Sequence, residues 1–179
     1  MKNAYIFHGW QGNSQENWFP WLKDKLEKLN IKTTIPDFPD SDQPKLEKWL
    51  KTLENYDFNQ ETILIGHSLG AALIIRFLEK NKVKIASAYL VAVFDNDLNI
   101  PQLKNSGFFS PAFDWQKIKN QAENFYILNS NNDSGIKPEY GLRIAQNLGI
   151  KTEILSEFGH FNNFSEFPYL LNLIKKNET

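Results

Sequence analysis

Residues 66–70 read Gly66-His67-Ser68-Leu69-Gly70, a serine with a glycine two positions away on each side. A serine hydroxyl becomes an acyl-transfer nucleophile when a base can take its proton and hydrogen-bond donors can hold the oxyanion. The surrounding sequence supplies the setting for such a role. An apolar run at 63–65 leads into the motif, and a helix-forming stretch at 71–80 leaves it. The G-x-S-x-G pattern between a strand and a helix predicts a sharp turn that lifts the hydroxyl to the end of a sheet. Crowding in that turn demands almost side-chainless neighbours, which accounts for Gly66 and Gly70.

The base must be one of three histidines: His8, His67 or His160. In doubly wound hydrolases the order along the chain is serine, acid, histidine, each on a loop at the carboxyl end of a strand. His8 precedes Ser68, and His67 is expected to point away from the hydroxyl. A lone histidine is more often structural than catalytic. His160, however, stands beside Gly159 in the loop after the last expected strand, and is the expected base. The preceding loop, 129–136, contains a single carboxylate, Asp133, the expected orienting acid. Its plainer role would be an Asx turn. Asp95 and Asp97, after the strand before that, are reserve candidates. The backbone N–H of Leu69, at the positive end of the following helix, is one expected oxyanion donor. The other is the N–H of Trp10, in the His8-Gly9-Trp10 turn that follows the apolar run 4–7.

These residues need a scaffold that brings distant loops to one edge. Continuous apolar runs at 4–7, 63–65, 88–94 and 125–128, with weaker ones at 31–35 and 152–155, suit strands buried on both faces of a parallel sheet. Amphipathic helices lie between them. Leu22, Leu26 and Leu29 share one face, as do Leu46, Trp49, Leu50 and Leu53, and Gly141, Ile144, Ala145 and Leu148. The 71–80 stretch is apolar on most sides and belongs in the middle of the fold. The alternation predicts a three-layer α/β/α sandwich with a mostly parallel sheet of about six strands, in one domain over 1–179. The irregular, aromatic-rich stretch 95–113 is read as a pocket wall, with Phe108 and Phe109 as its candidate substrate contacts; alternatively its phenylalanines only cover a helix.

Composition narrows the function. Twenty basic and 21 acidic residues are scattered without a basic stripe, which argues against a nucleic-acid partner. No apolar run approaches the ~20 residues needed to span a bilayer, and no leader-like segment opens the chain. The lack of cysteine excludes thiol catalysis and thiolate metal sites, and weakly favours a cytoplasmic location. No cofactor or metal is expected, and a protein partner is not readable.

Together the residues resemble the small serine hydrolases of the α/β-hydrolase superfamily related to retinoblastoma-binding protein 9 and bacterial YdeN. The resemblance spans essentially the whole chain. It rests on His8-Gly9-Trp10, Trp18-Phe19-Pro20-Trp21, the 66–70 motif, Ser106-Gly107-Phe108-Phe109-Ser110 and Gly159-His160-Phe161-Asn162. It implies a compact α/β-hydrolase fold without a large lid domain and a Ser68, Asp133, His160 triad. The acid loop departs from the family pattern, with Asn131-Asn132 before Asp133 where paired acids are common, and Ile136-Lys137 in place of Val-Pro. The expected activity is metal-independent hydrolysis of small ester, thioester or activated amide bonds in a small acyl substrate. The alternative is a protein-interaction module on a hydrolase scaffold.

Overall fold

A computed structural model describes residues 2–178. In chain order the elements are β1 (Asn3–Phe7), α1 (Phe19–Glu27), β2 (Lys32–Thr34), α2 (Leu46–Leu53), β3 (Thr62–His67), α3 (Leu69–Lys80) and β4 (Ile85–Val91). They continue with α4 (Pro101–Lys104), α5 (Trp115–Lys119), β5 (Ala122–Ser130), α6 (Pro138–Leu148), β6 (Glu153–Leu155) and α7 (Pro168–Glu178). The strands form one open sheet in the order β2-β1-β3-β4-β5-β6, and every pairing is parallel. The expectation of a mostly parallel sheet is therefore sharpened to an all-parallel one.

The apolar strands are buried because each feeds two cores at once. On β1, Ala4 and Ile6 face one layer while Tyr5 and Phe7 face the other; Ile63 and Ile65 are likewise separated from Leu64 on β3. This is the period-2 alternation of a strand, hidden in sequence because both faces are apolar. Leu22 and Leu26 of α1, with Leu170, Leu171 and Ile174 of α7, close one layer. The other is closed by α2, by Ile144, Ala145 and Leu148 of α6, and by α3, whose residues from Leu69 to Leu78 are all buried. The mostly apolar helix thus lies at the centre, as its composition demands.

Several boundaries differ from the sequence expectation, β5 for instance running from Ala122 to Ser130 rather than over 125–128. The 88–94 run stops being strand at Val91, because Ala92 turns to φ 50° and donates its N–H to Leu128 O at 2.8 Å. Leu29 lies beyond the end of α1 at Glu27. The 95–113 stretch contains the short helix α4, and α5 and α7 were not anticipated at all.

Because the chain lays down β1, moves out to β2, and then returns to the other side of β1 for β3, the loops after β1 and β3 diverge at their carboxyl ends. A crevice at such a reversal of strand order is the usual ligand site of an open α/β sheet. All strands being parallel, the loops after β1, β3, β5 and β6 gather at this one edge.

Candidate active site

Ser68 occupies the single residue between β3 and α3, at φ 56°, ψ −120°. Such a conformation costs a non-glycine residue on the order of 1–3 kcal/mol, so its surroundings must enforce it. Its N–H donates to Val91 O at the end of β4 (2.8 Å), and its carbonyl accepts from Ala71 N (3.0 Å). The glycines make the turn possible by lacking a side chain. A Cβ on Gly66 would stand 2.6 Å from Ala71 Cα, and one on Gly70 would stand 2.5 Å from His8 O.

Two loops from the far half of the sheet reach Ser68. His160 Nε2 lies 3.1 Å from Ser68 Oγ, and its Nδ1 lies 2.7 Å from Asp133 Oδ2. Since a carboxylate only accepts, Nδ1 carries the proton in the neutral ring, leaving Nε2 to accept from the serine hydroxyl. The other carboxylate oxygen of Asp133 accepts from Gly135 N and Ile136 N, both at 2.8 Å. Burial works to raise the pKa of this carboxyl group. The bonds from His160, Ile136 and Gly135 outweigh it and hold the pKa below its ordinary value. The Asx turn is thus present as well, and the same side chain makes both sets of contacts.

The His160 loop is held from behind. His67 Nε2 contacts His160 O at 2.7 Å, and Trp18 Nε1 donates to Phe161 O at 2.9 Å. Asn132 Oδ1 accepts from Gly159 N (2.8 Å) and from Ser130 Oγ (2.7 Å), tying the acid loop to the histidine loop. These bonds offset the cost of a loop in which Glu157, Gly159 and Phe161 all adopt positive φ.

The opposite wall is the 9–12 turn. Gly9 is packed so closely on the serine that an added Cβ would meet Ser68 Cβ at 3.0 Å. Among the described residues, neither Trp10 N–H nor Leu69 N–H donates to a protein acceptor. As the first residue of α3, Leu69 has no partner for its N–H within the helix. A cleft of about 260 Å³ opens between this turn and His160, with Ser68 in its wall. Among the described residues, no three His, Asp or Glu side chains converge to hold a metal ion.

The sequence model of the serine hydrolase family matches residues 4–175. YdeN of Bacillus subtilis is 31% identical over 180 residues, covering 97% of this chain and 94% of that protein. This chain belongs to the serine hydrolase family. The rat serine hydrolase RBBP9 is 28% identical over 160 residues, covering 88% of this chain and 84% of its own length. The crystal structure of the B. subtilis ydeN gene product superposes with a TM-score of 0.92 at 30% identity, covering 99% of this chain and 98% of the other. Est1E from Butyrivibrio proteoclasticus, at 13% identity and a TM-score of 0.76 over 98% of this chain and 87% of the other, shares the fold. The protein is a hydrolytic enzyme with the α/β-hydrolase fold.

In this serine hydrolase the remaining candidate residues lie elsewhere. His8 is fully buried with both ring nitrogens engaged, Nδ1 with Gly9 O and Nε2 with Phe38 N, each at 2.9 Å. Asp95 is committed to Arg143, and Asp97 accepts from Asn99 N. Phe108 is a correction to the pocket-wall reading. Its side chain is buried in the core, edge-on to Trp49, and its carbonyl accepts from Arg76 Nε of α3 at 2.7 Å. Phe109 packs against Phe94 and Phe113. Neither phenylalanine lines the cleft beside Ser68. The 107–113 segment covers α3 because the buried Arg76 guanidinium needs its carbonyls.

Sequence reasoning missed the supporting roles of His67, Trp18 and Asn132. A signal did exist for His67: a histidine ending a fully buried strand must find a polar partner, and the adjoining loops at that edge are the available source.

Proposed function

We propose that this enzyme is a metal-independent carboxylesterase that cleaves small ester, thioester or activated amide bonds through a Ser68–His160–Asp133 triad. The observation that carries this reading is the continuous pair of contacts from Ser68 Oγ to His160 Nε2 and from His160 Nδ1 to Asp133 Oδ2. The strained turn at Ser68 serves as the nucleophile elbow. Ser68 Oγ attacks the substrate carbonyl as His160 Nε2 takes its proton. Asp133 fixes the imidazole tautomer and stabilises the imidazolium. The tetrahedral oxyanion accepts from the backbone N–H groups of Leu69 and Trp10, both otherwise unengaged. Collapse breaks the bond to the leaving group, which departs with the proton from His160. Water, deprotonated by the same base, then releases the acyl group and restores Ser68. Esterases among the proteins of the same fold, including Est1E with ferulic acid bound, support ester cleavage over other acyl transfers.

The test is intact-mass analysis after incubation with a fluorophosphonate. One adduct is expected on the wild-type protein and none on Ser68→Ala, which should also lose on the order of 10⁶ in turnover of p-nitrophenyl acetate. A folded wild-type protein that takes up no adduct would overturn the assignment and favour an interaction module.

A further inference from the structure

The cleft beside Ser68 is walled mainly by polar side chains. Gln11, Glu16, Asn17 and Asn162 surround the opening that contains Ser68 and His160, Trp10 and Phe19 contribute its apolar surface, and no aliphatic side chain lines it. Gln11 (φ 60°) sits in the left-handed region against its preference, a strain of the kind that clusters at ligand sites, while Asn17 (φ 54°) adopts that region as asparagine readily does. Among the described residues, the side-chain amides of Gln11 and Asn162, both exposed, and of the half-buried Asn17 make no hydrogen bond to protein. Each therefore offers a donor and an acceptor to whatever enters. Glu16 accepts from Asn13 Nδ2 through one carboxylate oxygen (2.6 Å). Its other oxygen lies beside Gly12.

These groups select by chemistry. An alkyl group seated among three amides and a carboxylate would displace part of their water and return no hydrogen bonds, which disfavours it. A carboxylate or phosphate would meet Glu16. Hydroxyl groups both donate and accept, so they replace the displaced water bond for bond. The position of the cleft fixes which half of the substrate enters it. His160 must hand its proton to the leaving oxygen, and His160 and Ser68 both line the cleft. The leaving group, not the acyl chain, therefore lies there. Its volume of about 260 Å³ suits a glycerol- to monosaccharide-sized group.

We infer that the substrate's leaving group is a small neutral polyhydroxylated alcohol, bound by Gln11, Glu16, Asn17 and Asn162. This rests on the roles proposed above for Ser68 and His160.

The test compares 1-acetylglycerol with propyl acetate, which share a carbon skeleton and differ by two hydroxyls. Each kcat/KM is divided by the ester's rate of alkaline hydrolysis to remove intrinsic reactivity. The corrected ratio should favour 1-acetylglycerol at least tenfold. Asn17→Gly, which removes an amide and relieves the positive φ, combined with Asn162→Ala, should erase most of that preference. Fluorophosphonate labelling and p-nitrophenyl acetate turnover run alongside. Ser68 that labels and turns over p-nitrophenyl acetate, with equal corrected ratios or no turnover of either acetate, would overturn the polyol inference and leave the triad standing. A preference untouched in the double variant would also overturn it. Absence of labelling would remove the triad and the inference together.

Discussion

The buried imidazole of His67 donates its Nε2–H to the main-chain carbonyl of His160, 2.7 Å away, so the residue before Ser68 holds the loop that carries the proposed base. The carbonyl can only accept, which fixes the proton of His67 on Nε2. The two rings also lie 4.9 Å apart, centroid to centroid. In a site whose geometry must hold to a fraction of an ångström, a support this close is expected to affect turnover by positioning His160.

Replacing His67 with phenylalanine keeps the ring but strands the His160 carbonyl. We expect a fall in kcat of roughly 10-fold to 100-fold, with KM little changed, corresponding to about 1–3 kcal/mol for an unsatisfied buried acceptor. His67→Gln, which retains a donor, should recover part of the loss. Steady-state kinetics on p-nitrophenyl acetate would check this; equal kcat in all three proteins would show that the bond does not position His160.

The same residue makes the fold acid-sensitive. Burial, and then the neighbouring His160, pull the pKa of His67 from 6.5 down to about 3. As pH falls through 6.5 the unfolded chain takes up a proton that the folded chain refuses. Stability is therefore lost between pH 6.5 and about 3, by about 2 kcal/mol at pH 5. His8, also lowered by burial, adds a loss of the same sign. Urea unfolding at pH 7 and pH 5 should show the difference, and His67→Gln should show a smaller one. A wild-type protein equally stable at both values would contradict the argument.

Arg76 is buried on α3, with Nε bonded to Phe108 O, one terminal nitrogen 2.6 Å from Glu79 and the other bonded to Pro111 O. The ring of Phe113 lies 3.8 Å from its guanidinium carbon. Arg76→Ala removes a cation and strands Glu79 and two carbonyls. A loss of about 3–5 kcal/mol is expected. Arg76→Lys should also be destabilised, since a single ammonium cannot serve the fork of acceptors. Chemical denaturation curves would measure both; an Ala variant within 1 kcal/mol of wild type, roughly the surface range, would rule out this anchoring role.

Gly70→Ala pushes a methyl group into the carbonyls of Phe7 and His8 at the end of β1. Because backbone atoms, not a movable side chain, occupy the space, about 3 kcal/mol or more should be lost. The turn at Ser68 should shift with it. Thermal unfolding and fluorophosphonate labelling together would detect both effects, and unchanged values would mean that the turn tolerates a Cβ.

Much of this protein is local and can be read from sequence. Strands β1, β3 and β4 appear as apolar runs because both sheet faces are buried there, while the short edge strands β2 and β6 are half exposed and read weakly. The 66–70 motif stands out because a strand-to-helix turn admits little but glycine around its serine. Chain order singled out Asp133 and His160. What could not be read depends on meetings between distant segments. Phe108 looked like a pocket residue, yet it is drawn into the core because Arg76, thirty-two positions away, needs carbonyl partners. Helix α7 is not evident from sequence, because its apolar residues bunch in the first two turns and their burial depends on the α1 layer. His67, Trp18 and Asn132 became supports of the His160 loop only once the strand order brought the ends of β3, β5 and β6 to one edge. Sequence by itself determines periodicity, turn sterics and the order of chemical groups, because these act between near neighbours along the chain. Tertiary structure alone decides which buried polar groups pair across the sheet, because that choice follows from distances set by packing.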